Sequence, residues 1–138
     1  MTPIPYLFFN GQCAEALDVY AKIFNSQVED KMVASDMPPD FPVPDGCQDW
    51  IMHAQLGIGD GILMISDNIT ADSKPMAGSS VMLSYPTVDE AKAIFDQLAE
   101  GGSIQMAWEP TFWSAGFGTL TDRFGVRWMI GCDEPPAT

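Results

Sequence analysis

Apolar residues recur at helical spacing in two places along the chain. Glu15-Ala16-x-x-Val19-Tyr20-x-x-Ile23 returns as Glu90-Ala91-x-x-Ile94-Phe95-x-x-Leu98, displaced by 75 residues. In each copy the apolar positions fall on one stripe, which predicts an amphipathic helix with a single buried face. A short apolar run precedes each helix, Tyr6 to Phe9 and Val81 to Ser84. A second follows each, near Val28 to Val33 and Ile104 to Trp108. Asn25-Ser26 and Gly101-Gly102 supply the helix stops. The remainder of each half reads as a hairpin. Ile51 to Ile58 and Ile62 to Ser66 flank the tight-turn sequence Gly59-Asp60-Gly61, and Phe117 to Thr121 and Val126 to Ile130 flank Asp122-Arg123-Phe124-Gly125. The pattern is β-α-β-β-β written twice, an α+β architecture in one domain spanning 1–138. The units cover about 3–67 and 80–132, with a polar linker at 68–79.

Two further segments depart from this periodicity. Residues 34–49 (ASDMPPDFPVPDGCQD) carry four prolines and four aspartates and are expected to form an irregular excursion, which at this length serves as a lid or binding loop or is disordered. The tail after Cys132 is expected to fray.

Composition narrows the function classes. At 138 residues and 46% apolar content the chain can build a real core. Six basic residues against nineteen acidic ones give a formal net charge of −13. That field repels phosphate backbones, and no basic run offsets it, so nucleic-acid partners are excluded. No stretch approaches the roughly 20 apolar residues of a membrane span. The opening MTPIPYLFFNGQ lacks the basic and apolar regions of a signal peptide. Three cysteines, Cys13, Cys47 and Cys132, are few, odd in number and in no C-x-x-C spacing. They point to reduced thiols in the cytoplasm and to neither a disulfide framework nor a zinc site.

Three stretches carry a family resemblance: PYLFFNGQCAEALDVY, WIMHAQLGIGDGILMISD and IQMAWEPTFWSAGFGTLTDRFGVRWMI. Together they closely resemble the PhnB-like (YjdN-like) branch of the vicinal oxygen chelate superfamily, the glyoxalase/bleomycin resistance/dioxygenase group, over about residues 3–131. The resemblance implies two tandem βαβββ units forming a curved mixed sheet around a cleft, with the helices outside and a homodimer as the common assembly. Some members of the branch carry a 3-demethylubiquinone methyltransferase label. No glycine-rich loop follows a strand here to cradle S-adenosylmethionine, so that cofactor is not expected.

The resemblance also implies a divalent metal held by four His, Glu or Gln side chains at set strand positions. By spacing, those slots fall on Pro5, on Ile62 or Met64, on Ser80 and on Met129. None is a ligand that a hard or borderline cation selects, so no metal and no cofactor are expected.

Other residues offer binding chemistry. His53 is the single histidine, and in Ile51-Met52-His53-Ala54-Gln55-Leu56 strand alternation puts it on one face with Gln55. Met52, Ala54 and Leu56 then pack under the helices, and the polar pair faces the cleft. There His53 either orients a ligand or bonds a backbone carbonyl at the wall. Trp108, Trp113 and Phe117, with Phe112, form an aromatic cluster that walls an apolar cleft, plugs it or builds the dimer contact. Cys13, at the start of the first helix, reads as a small buried side chain, since no basic residue adjoins it. Ser79-Ser80 lacks a nucleophile elbow. The nine methionines suit both core and adaptable pocket.

Three functions fit these observations. The first is a metal-free small-molecule binding protein with a cleft lined by His53, Gln55, Trp108, Trp113 and Phe117. The second is a metal-dependent lyase, isomerase or dioxygenase with ligands at unexpected positions. The third is an interaction dimer with a filled cleft.

Overall fold

A computed structural model of the chain describes residues 1–70 and 73–137. The chain divides into two compact units between Lys74 and Pro75, inside the expected linker. Residues 71, 72 and 138, in the linker and tail, lie outside the described residues. The first unit contains β1 (Tyr6–Phe9), α1 (Cys13–Ile23), β2 (Val28–Val33), β3 (Ile51–Ile58) and β4 (Gly61–Asp67). The second contains β5 (Val81–Tyr85), α2 (Val88–Ala99), β6 (Ser103–Glu109), β7 (Phe117–Thr121) and β8 (Arg127–Cys132). Each unit is therefore βαβββ.

The first sheet has the order β1-β4-β3-β2, with β1 parallel to β4 and the other pairs antiparallel. Partners across strands share a face. Leu7, Ile65 and Ala54 form one row, and Leu63, Leu56 and Val28 the next. The first five of these six are buried, as are Cys13, Ala16, Leu17 and Tyr20 on the apolar stripe of α1. This face is the core of the unit. Its closure depends on Asp67, at the end of β4, a carboxylate only 4% exposed. Asp67 Oδ1 accepts the N–H groups of Gly11 (2.7 Å) and Cys13 (3.1 Å), and Oδ2 accepts that of Ile51 (2.9 Å). One side chain thus satisfies open donors at the start of α1 and ties that helix to β3.

The second sheet repeats the order as β5-β8-β7-β6, again with one parallel pair. Trp128, Leu120 and Ile130 are buried on one face, as are Ala91, Phe95 and Leu98 of α2. Gly118 lies in this layer because a Cβ there would fall 2.6 Å from the Phe95 ring. Thr87 caps α2, its Oγ1 accepting the Glu90 N–H at 3.2 Å. Asp122 holds the β7–β8 turn. Its Oδ1 accepts from the Phe124 and Val126 N–H groups, and its Oδ2 accepts from Trp128 Nε1 at 2.8 Å.

The tail does not fray where it begins. Asp133 N–H donates to the Tyr85 carbonyl at 2.7 Å, and Glu134 Oε1 accepts the Val88 N–H at 3.0 Å, so the segment covers the start of α2. Residues 34–49 open with a 3-10 turn at Ala34–Asp36. They are fastened by hydrogen bonds from Ala34 to the Trp50 carbonyl and from Ser35 to the Gln48 carbonyl. Among the described residues no helix is long and apolar enough to cross a membrane.

Candidate functional site

The helix-free face of the first sheet follows from the same register. One row runs Tyr6, Met64, Gln55, Glu29 across all four strands. The next places Phe8 beside Ser66 and His53 beside Met32. His53 and Gln55 therefore share this face, opposite the buried Ala54 and Leu56. Met52, expected under the helix, is only half-buried, while Ile51 is buried. A register shift between Met32 and Val33 passes over Met52 and breaks the alternation at this end of β3.

This face is unusually rich in exposed apolar side chains for a sheet surface. Phe8 is 57% exposed, Met32 42% and Tyr6 37%. The Tyr6 and Phe8 rings lie 4.9 Å apart between centroids. Tyr6 also reaches His53, its hydroxyl 3.1 Å from Nδ1 and the two ring centroids 5.8 Å apart. That hydrogen bond occupies Nδ1 and fixes the imidazole plane, so Nε2 is the nitrogen through which His53 can meet a ligand. Strand alternation alone does not bring Tyr6 to His53. The usable signal was its place in β1 at an even spacing from Phe8, which needed the β1–β4–β3 register to bring it to His53.

The aromatic cluster of the second unit divides. Phe117 pairs with Gly131 and Glu109 on the helix-free face, the Trp113 ring stands 5.4 Å from it, and Phe112 packs edge-on against Trp113 at 4.7 Å. Trp108 is not with them. Its ring lies 5.3 Å from Phe95 of α2, and a Cβ on Gly116 would strike it, so it belongs to the helix-packed layer. Its place agrees with Ile104, four residues earlier, whose register partner Leu120 is on the helix-packed face, and with Glu109, whose partner Phe117 is on the opposite one. The expectation that Trp108 lines a ligand site alongside Trp113 and Phe117 is corrected accordingly.

The loop bearing Phe112 and Trp113 is held firmly. Thr111 Oγ1 accepts the Ser114 N–H, and the buried Ser114 hydroxyl lies 2.9 Å from the Gly116 carbonyl and 3.0 Å from that of Cys132.

The positions where the fold would place metal ligands do not fit a metal. Pro5 has no side-chain donor, and its carbonyl already accepts the Met64 N–H at 3.0 Å. Met64 lies on the helix-free row of the first sheet and Met129 on that of the second, and both are thioethers. Ile62 is hydrocarbon and Ser80 a single hydroxyl. Among the described residues no group of three or more His, Cys, Asp or Glu side chains could hold an ion.

Cys13 is fully buried, and burial together with the nearby Asp67 charge pushes its thiol well above the ordinary range. It is a core side chain. Cys132 is also buried, and Cys47 is half-buried. A thiol reagent at pH 8 is therefore expected to label Cys47 promptly and the other two only on unfolding. Prompt labelling of two or more thiols in native protein would contradict this packing.

Comparison with known proteins places these features. Residues 4–130 match the model of the Glyoxalase/Bleomycin resistance protein/Dioxygenase superfamily. Protein YjdN of Escherichia coli K12 is 37% identical over 134 residues, covering 91% of each chain. The crystal structure of PA1353 from Pseudomonas aeruginosa superposes with a TM-score of 0.85 at 42% identity, over 96% of this chain and 98% of that one. The PhnB protein of Bacillus cereus shares the fold, with a TM-score of 0.75 at 24% identity over 96% and 99% of the two chains.

Proposed function

The chain belongs to the glyoxalase/bleomycin resistance protein/dioxygenase superfamily, and within it we propose that it is a metal-free small-molecule binding protein. The observation that carries this is the Tyr6–His53 hydrogen bond set among exposed Phe8 and Met32 and half-buried Gln55 on the helix-free face of the first sheet. Apolar strand faces in a folded chain are ordinarily covered, and an exposed one rimmed by fixed polar groups is the usual form of a binding site. His53 and Gln55 supply donors and acceptors for a polar head, and Tyr6 and Phe8 supply ring surface for its body. On the second sheet Trp113 offers exposed ring surface, while Phe117 beneath it is buried. The methyltransferase label of some relatives finds no support in these residues.

Two measurements on the protein as isolated test this. Elemental analysis is expected to find no stoichiometric Zn, Ni, Mn or Fe. The neutral planar dye Nile red is expected to bind saturably. One metal ion per chain, with dye binding abolished by chelation, would overturn the proposal in favour of a metal-dependent enzyme.

We further propose a homodimer acting in the reducing cytoplasm, where the three free cysteines would stay reduced. Each four-stranded sheet is covered by its own helix on one face alone, and symmetric pairing is the common way to use such surface. Sedimentation at micromolar concentration should report about twice the 15.0 kDa chain mass. A single species of one chain's mass would exclude the dimer.

A further inference from the structure

We propose that the ligand of the first unit's helix-free face is a planar organic cation. This rests on the small-molecule binding proposed above and adds the sign of the ligand's charge. The row Tyr6, Met64, Gln55, Glu29 crosses three strand spacings, about 14 Å, enough to lay a two- or three-ring system along it. At one end stand the Tyr6 and Phe8 rings, tilted by 33° to each other and both open to solvent. Their faces carry the negative part of the ring quadrupole and favour a cation over an anion. At the other end stands Glu29, exposed and paired in register with Gln55. Between them lies the polarizable Met64, with Met32 beside His53 in the neighbouring row, and both tolerate varied ring outlines.

The strands themselves supply little positive charge to oppose this. Lys31 is the single Lys or Arg in the four strands. It is one residue out of phase with Met32, and its charge acts on Cys13 at the start of α1, on the helix-packed side. The net charge of −13 adds a long-range field that enriches cations near the surface and depletes anions. An anionic ligand would meet Glu29, with no Lys or Arg of this row to compensate. A neutral ligand would keep the ring stacking but lack the attraction of a full charge to the ring faces and the carboxylate.

Three dyes of similar size separate the possibilities on the full chain: thioflavin T (planar cation), Nile red (neutral) and 8-anilinonaphthalene-1-sulfonate (anion). Thioflavin T is expected to bind about tenfold tighter than the anion at low salt, with the preference shrinking as salt screens it. Glu29→Gln should lower the affinity ratio of thioflavin T to Nile red about three- to fivefold, and Phe8→Ala should weaken thioflavin T by a similar factor. Asp18→Asn, on the exposed side of α1, should move that ratio less than about twofold. An equal fall in Asp18→Asn would reduce the effect to general charge and overturn the proposal. Nile red or the anion binding in a His53-dependent way as tightly as thioflavin T would overturn the cation preference alone. Failure of all three dyes to bind would overturn small-molecule binding and the cation preference together.

Discussion

Replacing Asp67 by alanine is expected to remove about 3–5 kcal/mol of stability, a large share of the roughly 5–15 kcal/mol available to a domain of this kind. The carboxylate is buried and accepts three backbone N–H groups, from Gly11, Cys13 and Ile51. Alanine would strand all three in a place water reaches poorly, and each stranded donor costs about 1–3 kcal/mol. The damage would also be spread through the unit, because those donors belong to the approach to α1, to the helix itself and to β3. Asp67→Asn should cost roughly half as much. Its amide oxygen can keep Gly11 and Cys13, while its NH2 turns a donor toward the Ile51 N–H. Urea denaturation of the two variants beside Asp18→Ala, an exposed helix position, checks the ranking. Equal midpoints for Asp67→Ala and Asp18→Ala would show that the Asp67 cluster holds nothing together.

The second large effect falls on binding. His53→Ala is expected to weaken Nile red by at least about tenfold while leaving the unfolding midpoint within about 1 kcal/mol of the parent. His53 is half-exposed, and its hydrogen bond is to Tyr6, itself 37% exposed, so removing the ring strands no buried group. Tyr6→Phe provides the complementary measurement. It leaves the imidazole in place without its fixed plane, and should weaken binding less than His53→Ala does. Calorimetric titration with the dye reads both. Undiminished binding in His53→Ala would remove the ring from the site.

Much of the architecture was legible because both periodicities were strong. The repeated helical stripe around Tyr20 and Phe95, and the turns at Gly59-Asp60-Gly61 and Asp122 to Gly125, place every element of both units within a residue or two. The face assignment of His53 and Gln55 followed from unbroken alternation through Ala54 and Leu56. Where alternation failed, so did inference. The irregularity near Met52 leaves that side chain half-buried, and Trp108, grouped with Trp113 and Phe117 by nearness in the chain, packs on α2 instead. A bulge depends on how two strands meet, and a single strand's pattern does not encode it. The buried carboxylates were hidden for a similar reason. Asp67 and Asp122 look like ordinary acidic residues among nineteen, and only the folded backbone shows the N–H groups converging on them. Tyr6 reaches His53 across an intervening strand, a relation that local sequence cannot carry.

The most direct measurement is a thermal-shift screen of the parent and His53→Ala against small organic molecules and divalent metals. The expected result is stabilisation of the parent by one or more organic compounds in the presence of chelator, lost in His53→Ala. Stabilisation by divalent metals alone, or by organic compounds to the same extent in both proteins, would contradict a metal-free ligand site on the helix-free face of the first sheet.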